Sequence, residues 1–221
     1  MLNKKTFRLF ISSTFDDFRK ERAVLQTEVF PKIKEYAREK GYSFQPIDLR
    51  WGVSDEAQYD QKTLELCLNE VRACKSKPYP NFLVMLGDRY GWIPLPYAIQ
   101  KEEFETLYAK ISQEDKILVE KWYKLDNNQQ PASYILQERT EEYYEWNMWV
   151  KVEDTLRITL QKAVSQTTLS KDKIKKYFLS ATEAEIEEGI IPYIAPTPFQ
   201  EKLLRSNKKE LLHIDPSILP Q

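Results

Sequence analysis

The sequence predicts an α/β fold, a doubly wound parallel sheet with a long helical insertion after the third strand. Three observations carry this. Short apolar runs at 6–12, 42–49 and 81–86 have strand character and end in serine, arginine or glycine turns. Segments of helical apolar spacing separate them. Beyond the third run, about 80 residues (roughly 98–178) carry mostly helical periodicity.

The first run, Thr6-Phe7-Arg8-Leu9-Phe10-Ile11-Ser12, reads as a buried strand feeding the turn Ser12-Ser13-Thr14. Phe18, Leu25 and Val29 then lie at helical spacing, and Pro31 either kinks that helix or opens a second one with an apolar face at Ile33, Tyr36 and Ala37. Gly41 stops it, and the second run leads into Asp48-Leu49-Arg50-Trp51-Gly52. Leu64, Cys67, Leu68, Val71 and Cys74 predict a helix from about 62 to 74, and Asn81–Leu86 a third strand closed by Gly87. In the insertion, series through Phe104–Ile111, Ile117–Leu125 and Trp146–Ala163 predict helices, with a polar loop at 126–132 and an extended piece at Tyr134-Ile135-Leu136. Ser180 and Glu183 have capping-box spacing, predicting a short helix over 181–188. Residues 192–221 read as a linker or the start of further strands, so the expectation is a fragment of a longer protein, with the α/β domain over 1–191.

Composition limits the function classes. A chain of 221 residues with 42% hydrophobic and 30% charged residues can bury a core, and a net charge of −1 gives no field for nucleic acid. No apolar stretch approaches the roughly 20 residues that span a bilayer, so a cytoplasmic protein without membrane association is expected. Cys67 and Cys74 fall two helical turns apart, about 10 Å, too far for a disulfide. His213 is the single histidine, which removes Ser-His-Asp and Cys-His schemes and most histidine-based zinc sites, so any catalysis must run on carboxylates and no metal is expected.

Four clusters carry candidate chemistry. Ser12, Ser13, Thr14 and Phe15, followed by Asp16 and Asp17, place hydroxyls and amides at a helix start, suited to a phosphate or ribose, or simply to helix capping. Asp48, Arg50 and Trp51 follow the second strand, and Gly87, Arg89, Tyr90 and Trp92 follow the third. Each turn combines a guanidinium, an aromatic ring and a glycine, able to pair a phosphate and stack a base, or alternatively to close the rim of the core. In the 181–188 helix, Glu183, Glu187 and Glu188 suffice for a solvated face, while Glu185 beside Ile186 projects toward the sheet edge.

Taken in order, Phe10–Asp17 with Glu21-Arg22, Phe30-Pro31, Asp48–Val53, Cys67–Val71, Leu86–Pro94, Trp122-Tyr123, Tyr134–Gln137 and Ser180–Glu183 resemble one family across nearly the whole chain. It is the domain of uncharacterised function that precedes the NACHT ATPase in NACHT and WD-repeat (STAND) proteins. The resemblance implies a TIR-like, flavodoxin-like fold related to nucleoside deoxyribosyltransferases. It implies an N-terminal effector or adaptor of a signalling or immune-defence ATPase carried on the same longer chain, self-associating on activation. No Gly-rich Lys-Ser or Lys-Thr loop occurs here, so the ATPase itself is absent.

The resemblance also implies a helix-borne glutamate acting on an N-glycosidic bond, with Glu185 the first candidate, Glu183 the second, and Glu70, Glu102 or Glu103 as further carriers. The expected activity is cleavage of NAD or a related nucleotide, NAD being substrate rather than cofactor. Ser12, Ser13 and Thr14 would hold phosphate or ribose, Arg50 and Arg89 would neutralise charge, and Trp51 or Trp92 would stack a base. The rival expectation is a binding module without catalysis. With 13 tyrosines, 10 phenylalanines and 5 tryptophans, the chain can furnish both a core and a contact face.

Overall fold

The computed structural model describes residues 6–14, 17–49, 59, 61–77 and 80–190. Strand β1 (Thr6–Ser12) lies at the centre of a parallel three-stranded sheet, between β2 (Ser43–Ile47) and β3 (Phe82–Val84). Register pairs Phe7 with Phe44, Phe10 with both Ile47 and Phe82, and Ser12 with Val84. Pro46 is tolerated because β2 is an edge strand, where a missing N–H breaks no inner ladder.

Alternation along β1 divides the core. Leu9 and Ile11 pack with Phe30, Leu25 and Val29 on one face, while Phe10 packs with Val71, Cys74 and Phe82 on the other. The first face is covered by the Leu25–Val29 turn that follows α1 (Arg19–Val24) and by α2 (Phe30–Glu39), the second by α3 (Thr63–Lys75). Of the two alternatives for Pro31, the structure shows it opening a second helix. A π-helical turn over Leu25–Val29, closed by Phe30 N–H to the Leu25 carbonyl, precedes an α2 that carries Pro31 in its first turn. There the missing N–H costs little. Gly41, at φ +77°, ends the segment in a left-handed conformation.

The region after β3 differs from the helical insertion expected. It holds an antiparallel sheet of order β4-β6-β5, built from β4 (Ala98–Gln100), β5 (Tyr123–Asp126) and β6 (Ser133–Leu136). Helices α4 (Lys101–Tyr108), α5 (Gln113–Trp122), α6 (Trp146–Val164) and α7 (Lys171–Lys175) accompany it. Strand β5 escapes a reading by periodicity because the apolar spacing of α5 runs on through Leu125, past the point where the backbone turns extended at Tyr123. This region has its own core, in which Trp149, Leu156, Leu160 and Val164 of α6 face Ile99, Leu107, Val119 and Trp122. The Trp122 and Trp149 rings meet edge to face at 4.8 Å.

The chain then returns to the first sheet as α8 (Ala181–Gly189), capped as the sequence predicts by Ser180 Oγ accepting from Glu183 N–H at 3.1 Å. Helix α8 packs on α3 and β1. Its last residue touches β3 so closely that a Cβ on Gly189 would stand 2.4 Å from Phe82 Cδ2. Arg72 and Lys75 of α3 both reach the Glu188 carboxylate. Among the described residues no helix is long and apolar enough to cross a membrane.

Candidate functional site

At the C-terminal end of the parallel sheet, β1 delivers two serines to opposite faces, because successive side chains of a strand alternate. Ser12 points to the α3 side, where its hydroxyl donates to Glu185 Oε2 of α8 at 2.5 Å. Ser13 points to the α1 side, where its hydroxyl accepts from Arg22 Nε at 3.0 Å and Nη2 at 2.6 Å. Arg22 also bonds the Ser13 carbonyl and pairs with Asp48 just beyond β2, both side chains being 3% exposed. One guanidinium therefore ties the ends of two neighbouring strands together.

Glu185 is 8% exposed. Burial pushes its carboxyl up from 4.5 to about 7, against the pull of hydrogen bonds from Ser12 and Cys67 and the positive charge of Arg22. The carboxylate faces a cavity of about 40 Å³ lined by residues including Ser13, Arg22, Cys67, Trp92 and Thr182. That volume admits about two or three water molecules. Cys67 and Cys74 are free and buried, and burial raises both thiols.

The turn after β3 closes over this cavity. Gly91, at φ +92°, passes so near the serine turn that a Cβ there would stand 3.0 Å from Thr14 Cγ2, a position open only to glycine. Thr14 donates to Asp17 at 2.6 Å, and Arg89 Nε lies 3.4 Å from the other oxygen of the same carboxylate. Trp92 lines the cavity, its carbonyl accepts from Ala181 N–H at 2.9 Å, and its indole N–H donates to the buried Glu153 of α6 at 3.0 Å.

The structure thus brings Ser12, Ser13, Thr14, Asp48, Trp92 and Glu185 to one place. Others stand apart. Arg89 is largely exposed, and Tyr90, 53% exposed, bonds Glu183 and the Phe178 carbonyl outside the cavity. Gly87 backs onto Asp17. Phe15, Arg50 and Trp51 lie outside the described residues. Of the further carboxylates, Glu70 pairs with Arg8, Glu102 is exposed, and Glu103 is buried in the second core against Tyr177 and Lys176. The serine-turn hydroxyls do not cap α1, whose N-cap is Phe18 at φ 58° without a side-chain bond. Arg22 and Cys67 are site residues to which the sequence reading gives no role, although both stand in stretches that carry the family resemblance. Arg22 sits in a helix rich in solvent charges, and only its 2% exposure distinguishes it. Among the described residues no group of three or more His, Cys, Asp or Glu side chains could hold a metal.

A family model described as a domain of unknown function, DUF4062, matches residues 8–177. The chain belongs to the DUF4062 family. Within that match lie the serine turn, Arg22, Asp48, Trp92 and the second sheet, so the region after β3 is part of the family's own pattern. Glu185 on α8 lies beyond it. Mouse NACHT domain- and WD repeat-containing protein 1 is 32% identical over 174 residues, covering 77% of this chain and 11% of that protein. Human NACHT and WD repeat domain-containing protein 2 is 31% identical over 211 residues, 83% of this chain and 12% of that protein. Mouse telomerase protein component 1 is 40% identical over 93 residues, 42% of this chain and 3% of that protein. The DUF4062 chain thus spans about a tenth of the length of its NACHT and WD-repeat relatives. No solved structure matches it.

Proposed function

We propose that this DUF4062 domain is the TIR-like effector at the N-terminus of a longer NACHT and WD-repeat protein, and that it cleaves the N-glycosidic bond of NAD or a related nucleotide. The observation that carries the reading is Glu185, a carboxylate buried at the C-terminal edge of a parallel sheet, facing a cavity and titrating near 7. Ligands in open α/β sheets bind at that edge. The strand order β2-β1-β3, with helices on both faces, agrees with a flavodoxin-like arrangement.

In the proposed reaction the bond from ribose C1′ to the nicotinamide nitrogen breaks, its electron pair going to the departing nitrogen, which becomes neutral. The Glu185 carboxylate stabilises the cationic ribosyl centre. A water oxygen then bonds C1′, and its proton passes to the carboxylate. Ser12 orients Glu185, Ser13 and Thr14 offer contacts to ribose or phosphate, and Trp92 presents a ring to the base. Arg22 sets the local positive potential and is itself held by Asp48.

The size of the cavity favours a second reading. About 40 Å³ receives a reacting centre and water but not a nucleotide base, which suits a contact module that uses the same fold without turnover. Incubating the longer NACHT and WD-repeat protein, in its clustered form, with NAD and separating the products by chromatography tests the two readings. Loss of NAD that disappears in Glu185→Gln, with the fold retained, supports cleavage. Undiminished loss in that variant removes Glu185 from the chemistry, and no loss in the unaltered protein favours the contact module.

A further inference from the structure

The region of the second sheet meets the Glu185 cavity through a buried carboxylate, and a buried guanidinium lies near by in the same region. Glu153 of α6 is 3% exposed and accepts the Trp92 indole N–H at 3.0 Å. Arg139, just after β6, is 6% exposed. Its guanidinium carbon lies 4.7 Å from the centre of the Trp149 ring and 5.6 Å from that of Trp146. Trp149 and Glu153 stand four positions apart on α6, so they share one face of that helix. The backbone N–H of Arg139 donates at 3.0 Å to the carbonyl of Tyr59, in the connection from β2 to α3, and the Tyr59 ring meets Tyr144 edge to face at 4.7 Å.

The Glu153 contact falls on Trp92, which lines the cavity in the connection that leaves β3. Trp92 also carries the start of α8, because its carbonyl accepts from Ala181 N–H. A shift of Trp92 therefore moves both the ring that lines the cavity and the helix that bears Glu185. Among the described residues neither Glu153 nor Arg139 makes a close ion pair, and burying such charges is costly for a region serving only as padding.

We propose that Glu153 is a clasp through which the second sheet region sets the position of Trp92 and, through it, of Glu185. Glu153 is a positioning residue, acting through Trp92. This rests on the reading of the Glu185 cavity as the working site.

The test uses the full chain labelled with 5-fluorotryptophan, with the Trp92 fluorine signal assigned by Trp92→Phe, and follows the Glu185 titration midpoint by carboxyl carbon NMR. In Glu153→Met the Trp92 signal and the Glu185 midpoint are expected to move together, and nucleotide loss to fall about tenfold, the effect of one lost hydrogen bond. Glu153→Gln, whose side-chain oxygen still accepts the indole N–H, is expected to restore all three. Should Glu153→Met not fold, Trp92→Phe decides, because it removes the indole N–H donor and keeps a smaller aromatic ring at the position. A Glu185 midpoint unchanged in Trp92→Phe, or a Trp92 signal unchanged in Glu153→Met, overturns the clasp. If the unaltered chain consumes no nucleotide, the cleavage reading fails while the two NMR measurements still decide the clasp.

Discussion

Ser12 and Glu185 are 173 positions apart in the chain, and inside the protein the serine hydroxyl donates to the carboxylate at 2.5 Å. The contact joins the central strand to the last described helix and holds a carboxyl whose burial raises it to about 7. A raised carboxyl favours the folded state when protonated. Its contribution is complete below the unfolded value near 4.5 and is lost as pH rises through about 7.

Stability is therefore expected to decline between about pH 5 and pH 8, and Glu185→Gln to flatten that decline. Raising a carboxyl from 4.5 to about 7 corresponds to about 3 kcal/mol. Urea unfolding at a series of pH values measures it. An equal slope in the variant would show that Glu185 is not the responsible group.

Ser12→Ala removes a donor to the ionised carboxylate and is expected to raise the Glu185 midpoint above its value in the unaltered chain. Carboxyl carbon NMR reads this directly. If nucleotide cleavage is confirmed, the pH profile of the variant should move upward with the midpoint, because the ionised form does the work.

Arg22→Met takes the Arg22 guanidinium away from the buried Asp48 carboxylate and the Ser13 oxygens, and the expected cost is about 3–5 kcal/mol. Pairing it with Asp48→Asn in a double-mutant cycle should return a coupling energy of at least about 1 kcal/mol. Strict additivity would mean that the pair does not tie β1 to β2.

Gly189→Ala places a methyl where Phe82 ring atoms already stand, and an expected loss of about 1–3 kcal/mol follows from overpacking. Phe82→Leu in the same chain should recover part of it. Thermal melts of the two variants and the double variant provide the comparison.

Cys67 is buried, its thiol raised by burial and by the neighbouring charge of Glu185. Alkylation by iodoacetamide at pH 8 is expected to be undetectable in the folded chain and prompt in denaturant. Mass spectrometry after a timed pulse measures the contrast, and rapid native labelling would place the thiol at the surface.

Local pattern determined much of this protein. Apolar runs gave β1, β2 and β3 their places, since a strand buried on both faces needs a continuous apolar stretch, and Ser180 with Glu183 specified α8 and its cap. The same reading placed Glu185 toward the sheet edge, because a carboxylate beside Ile186 on an otherwise acidic helix stands at the edge of the buried face. Strands β4 and β5 were hidden, being three and four residues long and paired only by partners elsewhere in the chain. Arg22 reads as one more helix charge until Asp48 and Ser13 close around it. Partners distant in sequence meet only when the chain folds, so burial and the pairing of charges were settled by tertiary structure alone.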